Sequence, residues 1–267
     1  MIKNLFKSLI LKNNLFRKPS ISYCVKNNLF PEIITRTSSY ELKKLLFLPE
    51  SKHRTQLNQD IFALLANRFI PGYFLEIGAN DGFTLSNTQY LEKSFGWNGL
   101  LIEANPKYRE SLQMRSATSI ITAITENEGE YLFCDAGLYG GLIDNLSSTH
   151  QNITNKSENI NVRGTTLQSV LNAQKAPPII NFVSIDVEGA EAQIVDQLCK
   201  LPDHRFVCGC IEHNYRSEDY IRIVNCLNDA DYQVIWSGQT SHDLFFIDKR
   251  LMDSIGFSAT EKDSLEI

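Results

Sequence analysis

Leu75-Glu76-Ile77-Gly78-Ala79-Asn80-Asp81-Gly82, followed by Gly99-Leu100-Leu101-Ile102-Glu103, is the stretch that decides the fold. A short apolar run ends in a glycine-bearing loop, a helical segment over 85–95 follows, and a second apolar run ends in an acid. Gly78 and Gly82 let the backbone turn sharply and approach a ligand closely. Glu103 stands 21 residues after Gly82, a spacing that suits a carboxylate holding two ribose hydroxyls. Strand, loop, helix, strand is the repeating unit of a parallel sheet covered on both faces.

The alternation continues downstream. Asn105-Pro106 opens a helix, with proline where the first turn tolerates it. Residues 119–124 are β-branched and read as one strand, 130–134 as another, and 135–160, rich in Gly, Asn, Ser and Thr, as a long loop. A short helix over 166–173 precedes a buried strand, Ile179–Ile185, that ends at Asp186. A helix over 190–199, a strand over 206–211 ending at Glu212-His213, and a helix over 218–230 follow. The last two strands, 232–236 and 244–247, have no helix between them, which predicts an antiparallel pair at one edge. Upstream, Ile61, Leu64, Leu65 and Phe69 mark a helix that Pro71-Gly72 stops. The expected organisation is a basic, helical extension over 1–55, one α/β domain over 56–252, and a polar tail over 253–267. Ligands of such sheets bind beyond the carboxyl ends of the strands.

Length and composition fit a globular protein: 267 residues, 43% apolar and 21% charged. They exclude a disordered chain and a polytopic membrane protein. The net charge of −5 is uneven, because residues 1–30 hold six basic residues and no acid. The remainder carries 20 Lys and Arg against 31 Asp and Glu, too acidic for a general nucleic-acid binder. The six cysteines form no CxxC pair, which argues against structural zinc and for a reducing, cytoplasmic setting. Ile2, Leu5, Phe6, Leu9 and Ile10 recur at helical spacing among lysines. Residues 1–18 are therefore a candidate for peripheral membrane or oligomer contact. The sequons at Asn145, Asn152 and Asn155 carry no meaning without secretion.

Two ligand classes use the strand–loop–helix–strand–acid layout: nicotinamide dinucleotides and S-adenosylmethionine. A dinucleotide loop wants GxGxxG so that backbone presses on pyrophosphate. Here Asn80 replaces the second glycine, and Glu76 and Asp81 place negative charge beside the would-be phosphates. Those acids suit a sulfonium and an ammonium instead. At the later strand ends, Asp186 and Glu212-His213 are the candidate catalytic groups, His213 as the general base. Asp186, Glu188, Glu212 and His213 offer ligands for magnesium or manganese, but their spacing is no recognisable cage and no metal is expected. Trp97, Tyr139 and Tyr215 are candidates for an acceptor pocket, weighed against simple packing.

From 74 to 248 the chain resembles the FkbM-type methyltransferases, a branch of the class I fold that uses S-adenosylmethionine. The resemblance rests on Glu76 to Gly82, on Ser86-Asn87-Thr88 with Leu91-Glu92, and on Gly96 to Pro106. It continues through Thr166-Leu167, Ser184 to Glu191 and Ile211-Glu212-His213, with Gln59-Asp60 upstream. It implies a Rossmann-like, seven-stranded, mainly parallel sheet with a reversed last strand. It also implies that Glu76, Gly78, Ala79, Asn80, Asp81 and Gly82 hold the methionine part, Glu103 the ribose, and Ala123 and Ile124 the adenine. The implied reaction is O-methylation of a sugar, a glycan or a small metabolite, while the residues leave a nitrogen acceptor open. A competing reading is a catalytically idle member that binds a partner or membrane through its amino-terminal helix.

Overall fold

The computed structural model describes residues 55–146, 157–213, 216–235 and 243–252. The expectations for 1–54, for the tail after 252 and for Tyr215 lie outside the described residues. Helix α1 (Gln59–Ala66) precedes strand β1 (Tyr73–Ile77), helix α2 (Gln89–Phe95) and strand β2 (Asn98–Glu103). A 3-10 turn (Pro106–Tyr108) runs into the short helix α3 (Arg109–Leu112). Four short strands follow, β3 (Thr118–Ile121), β4 (Ala123–Ile124), β5 (Gly129–Asp135) and β6 (Gly141–Leu142), and then the longer β7 (Glu158–Thr165). The rest is α4 (Leu167–Ala173), β8 (Ile179–Ile185), α5 (Glu191–Lys200), β9 (Arg205–Glu212), α6 (Ser217–Asp229), β10 (Tyr232–Ile235), β11 (Asp243–Asp248) and α7 (Lys249–Met252).

The main sheet has seven strands in the order β10-β11-β9-β8-β1-β2-β3. β11 runs antiparallel to both neighbours, and the other pairings are parallel. The reversed last strand is thus present, inserted between β9 and β10 rather than outermost. Arg205 at the start of β9 holds the buried Asp248 at the end of β11 through two hydrogen bonds of 2.6 and 3.0 Å, which pins that insertion. This is the class I methyltransferase-like α/β architecture.

Alternating side chains serve the two faces. Phe74, Leu101, Phe182 and Phe245 pack with α1, α2 and Leu112 of α3. Leu75, Ile102, Val183 and Phe246 pack with α4, α5 and α6. The central strands are near-continuous apolar runs because both faces are covered.

Three expectations are corrected. The single strand over 119–124 is two, broken at Thr122. Its N–H bonds Glu103 O at 2.8 Å, and its Oγ1 donates to Arg163 O at 3.0 Å, so it carries the chain from one sheet to another. The second sheet, β4-β7-β5-β6, takes β6 from the segment read as a loop, and β7 begins inside that segment at Glu158. The helix over 85–95 starts at Gln89 instead, because the hydroxyls of Ser86 and Thr88 bond the Glu76 carboxylate. Among the described residues no helix is long and apolar enough to cross a membrane.

Candidate active site

A cavity of about 370 Å³ lies at the carboxyl ends of β1, β2, β8 and β9, roofed by the second sheet. That volume suits a small-molecule site. β11 runs backwards, so its first residue, Asp243, reaches the same edge and pairs in register with Glu212.

The turn after β1 is built on glycine. Gly78 has φ +86°, and a Cβ there would come within 1.6 Å of Asp186 O. Its N–H and that of Ala79 bond Ile102 O at 2.9 and 3.1 Å, and Asp186 N bonds Ile77 O at 3.0 Å. The backbone of three neighbouring strands is therefore closed tightly around the cavity floor. Glu103 is fixed from both sides: its carboxylate accepts from Asn80 N at 2.7 Å and Asn105 N at 2.8 Å. Burial raises its pKa, against those N–H bonds and one from Ala104. A carboxylate offers about four acceptor positions, so capacity for a ligand hydroxyl remains.

Glu76 is buried and its oxygens accept from Asn87 N (2.8 Å), Ser86 Oγ (3.0 Å) and Thr88 Oγ1 (2.5 Å). Burial lifts its pKa, with Arg115 and these donors pulling the other way. The side chain thus holds the 86–88 segment against the cavity wall.

The opposite end is acidic. Carboxylate oxygens of Asp186, Glu188 and Glu212 lie within 4.8 Å of one another. Asp186 faces the open cavity, while protein surrounds it otherwise. Burial, the hydrogen bond with Glu212 and the charges of Glu212, Glu191 and Asp243 push its pKa far up. Burial together with Glu188, Asp243 and Glu191 raises Glu212 to about 7. Two carboxyls this close resist ionising together, so the pair holds on to a proton that isolated carboxyls would release. Asp243 also accepts from Gln59 Nε2 at 2.8 Å. Buried Glu191 accepts from Val187 N and Gly189 N, both at 3.0 Å, and shapes the loop that carries Asp186 and Glu188.

Ala123, Ile124, Phe133 and Leu142 form an apolar wall, and Gly137 to Gly140 border it. Leu138 and Tyr139 are half-exposed there.

Of the expected residues, Glu76, Gly78, Ala79, Asn80, Glu103, Ala123, Ile124, Asp186 and Glu212 line this one cavity. Asp81 and Gly82 do not. The Asp81 carboxylate accepts from Phe83 N (2.8 Å), Thr84 N (2.6 Å) and Thr84 Oγ1 (2.7 Å), tying its own turn. His213 follows Glu212 but is not among the lining residues; its ring meets Tyr220 edge-on at 5.0 Å. Tyr139 lines the cavity, whereas Trp97 is 3% exposed and packs in the core. The sequence reading missed Asp243, Phe133 and Leu142. Asp243 had a usable signal: a polar residue that begins a reversed strand sits where its parallel neighbours end.

The family model of the methyltransferase FkbM domain matches residues 76–234, more than half of the chain. No curated protein matches. Among solved structures, the methyltransferase FkbM from Methylobacillus flagellatus KT is 13% identical with a TM-score of 0.42, over 85% of this chain and 60% of that one. This chain thus spans about 60% of the length of that relative. An O-methyltransferase from Bacillus cereus in complex with SAH is 9% identical with a TM-score of 0.37, over 92% and 98% of the two chains. The precorrin-6y C5,15-methyltransferase from Geobacter metallireducens GS-15 is 10% identical with a TM-score of 0.33, over 74% and 93%.

Proposed function

The chain belongs to the FkbM methyltransferase family, whose cofactor is S-adenosylmethionine, and from that premise we propose that it methylates a hydroxyl oxygen of a sugar, a glycan or a small metabolite. One observation carries this reading: a single cavity joins Glu103, held by main-chain N–H groups beside an apolar wall, to a cluster of carboxylates at its other end. A nucleoside with hydroxyls, a flat base and positive charge fits that sequence of surfaces. When bound, the cofactor supplies an electrophilic methyl group.

The residues divide the remaining work. Glu103 takes ribose hydroxyls, Ala123 and Ile124 face the base, and Gly78 to Asn80 allow close backbone approach. Glu76 keeps the 86–88 segment beside the methionine part. A pyrophosphate would meet the same carboxylates and be repelled, which disfavours a dinucleotide. The hydroxyl of the acceptor is a weak nucleophile and gains from proton removal. Glu212, poised at about 7, takes that proton, with Asp186 hydrogen-bonded to it. His213, outside the lining, packs its ring against Tyr220 of α6. Alignment of donor and acceptor supplies the rest of the acceleration.

The test is calorimetric titration of the full chain with S-adenosylmethionine, followed by transfer of labelled methyl into a lysate and mass identification of the product. Saturable binding and a methyl ether are expected. Glu103→Ala should weaken binding by about 10- to 100-fold, as lost hydrogen bonds to a charged group do. An unchanged dissociation constant removes Glu103 from the ribose. Absence of any binding by the wild-type chain sinks the whole reading.

A further inference from the structure

Two thiols that take no part in the cavity meet between α5 and α6. These helices follow β8 and β9 and pack side by side on one face of the sheet. An ion pair sets their register: Arg222 Nε of α6 lies 3.1 Å from Asp196 Oδ2 of α5. One turn further along each helix stand Cys226 and Cys199, on the same faces as that pair. Cys226 Sγ is 3.7 Å from the carbonyl oxygen of Val195. That carbonyl is the one α-helical geometry assigns to the N–H of Cys199. The Cys226 thiol thus reaches the turn of α5 that carries Cys199. Both thiols are free and half-buried, whereas Cys134, Cys208 and Cys210 are buried.

We propose that Cys199 and Cys226 are a modification site for low-molecular-weight disulfides such as oxidised glutathione, Cys226 taking the adduct and Cys199 resolving it into an intramolecular disulfide. The asymmetry follows from their burial. Cys199 is the more deeply covered of the two, so a reagent from solution reaches Cys226 first. The thiolate is the attacking form. Cys226 sulfur bonds to one sulfur of the reagent, whose S–S bond breaks to release one thiolate. Cys199 sulfur then bonds to Cys226 sulfur, the mixed disulfide breaks and the second thiolate leaves. The two protons of the protein thiols end on the two released thiolates. The protein sulfurs lose two electrons and the reagent gains them.

The site lies ~12 Å along α5 from its first turn. There Glu191 holds Val187 N and Gly189 N, while Arg216, just ahead of α6, donates to Gly189 O at 3.2 Å. A bond between the helices thus ties together the two supports of the loop carrying Asp186 and Glu188.

The experiment incubates the reduced full chain with excess oxidised glutathione, alkylates residual thiols and maps the peptides by mass. The wild-type chain should show a Cys199–Cys226 link and the loss of both free thiols. Cys199→Ser should retain about one glutathione per chain on Cys226, with nothing to resolve it. Cys226→Ser should take adduct at Cys199 at least about tenfold more slowly. The wild-type map decides the pairing by itself: the absence of the 199–226 link overturns the proposal. Equal adduct rates at Cys199 and Cys226 in the two serine variants overturn the assigned roles.

Discussion

Glu103 and Glu212 both close a parallel strand, and their surroundings give them different tasks. Glu103 receives main-chain N–H groups, which fix its geometry, and in the proposed reading it takes a neutral hydroxyl. Glu212 faces other carboxylates, and burial with their charges brings it to about 7. That value makes it partly ionised and an efficient proton acceptor near neutrality. Glu212→Gln keeps the size and an acceptor oxygen for Asp186 but cannot take a proton. It should lower kcat by about 10²- to 10⁴-fold with little change in cofactor affinity. Wild-type activity should rise with pH through about 7, and the variant should lose that limb. If Glu212→Gln keeps full turnover and His213→Ala does not, the proton belongs to His213. Acids that end apolar strands were legible in the sequence, since strand polarity alone places them at one edge. Asp81 was not, because a loop's position does not say where its side chain points, and this one bonds its own turn. Asp243 was legible as well: the reversal of its strand was expected, and a polar residue that begins a reversed strand lies where its parallel neighbours end.

At the scale of elements, one buried arginine holds the cavity wall together. Arg115, between α3 and β3, donates from Nε to Glu92 of α2 at 2.6 Å, and from Nη1 to Gly82 O and Ser86 Oγ at 2.5 and 3.2 Å. Its Nη2 reaches Thr88 Oγ1 at 3.1 Å. Ser86 and Thr88 in turn hold Glu76, so α2, the glycine turn and β1 share one cation. Arg115→Met should cost about 3–5 kcal/mol, because it strands the Glu92 carboxylate in the interior. Adding Glu92→Gln should recover part of the loss, since paired sites are not additive. Urea unfolding of the single and double variants measures both. Equal midpoints for the two would show that Glu92 was never the issue. No sequence signal announces this network, because its members come together only after β3 has docked. The main sheet was readable for the opposite reason: buried parallel strands are apolar runs in themselves. The second sheet is half-solvated, and β7 mixes Asn, Arg and Gly with few apolar residues, so it imitates a loop. The step at Thr122 is hidden because residues on both sides of it favour strands.

On the scale of the molecule, the unusual feature is how many carboxyls burial pushes upward: Glu76, Glu103, Asp186, Glu191 and Glu212 all move in that direction. A folded state that raises carboxyl pKa values binds more protons than the unfolded chain, whose carboxyls titrate near 4. Stability then falls as pH rises through the window between that value and about 7. Glu92 acts with the opposite sign: bonds from Arg115 and Ser116 outweigh its burial and lower its pKa, a contribution lost only towards acid. The free chain should therefore melt a few degrees lower at about pH 8 than at about pH 5.5. Asp186→Asn, which removes one of the carboxyls whose pKa folding raises, should flatten the slope. A saturating sulfonium nucleoside should do the same, because a cation among these groups favours their ionised forms. Melting curves at the two pH values, with and without ligand, separate the contributions. A wild-type chain that grows more stable towards pH 8 would mean that the carboxylates are held by cations the charge cluster does not contain. The acidic end of the cavity would then need another explanation than a positively charged ligand.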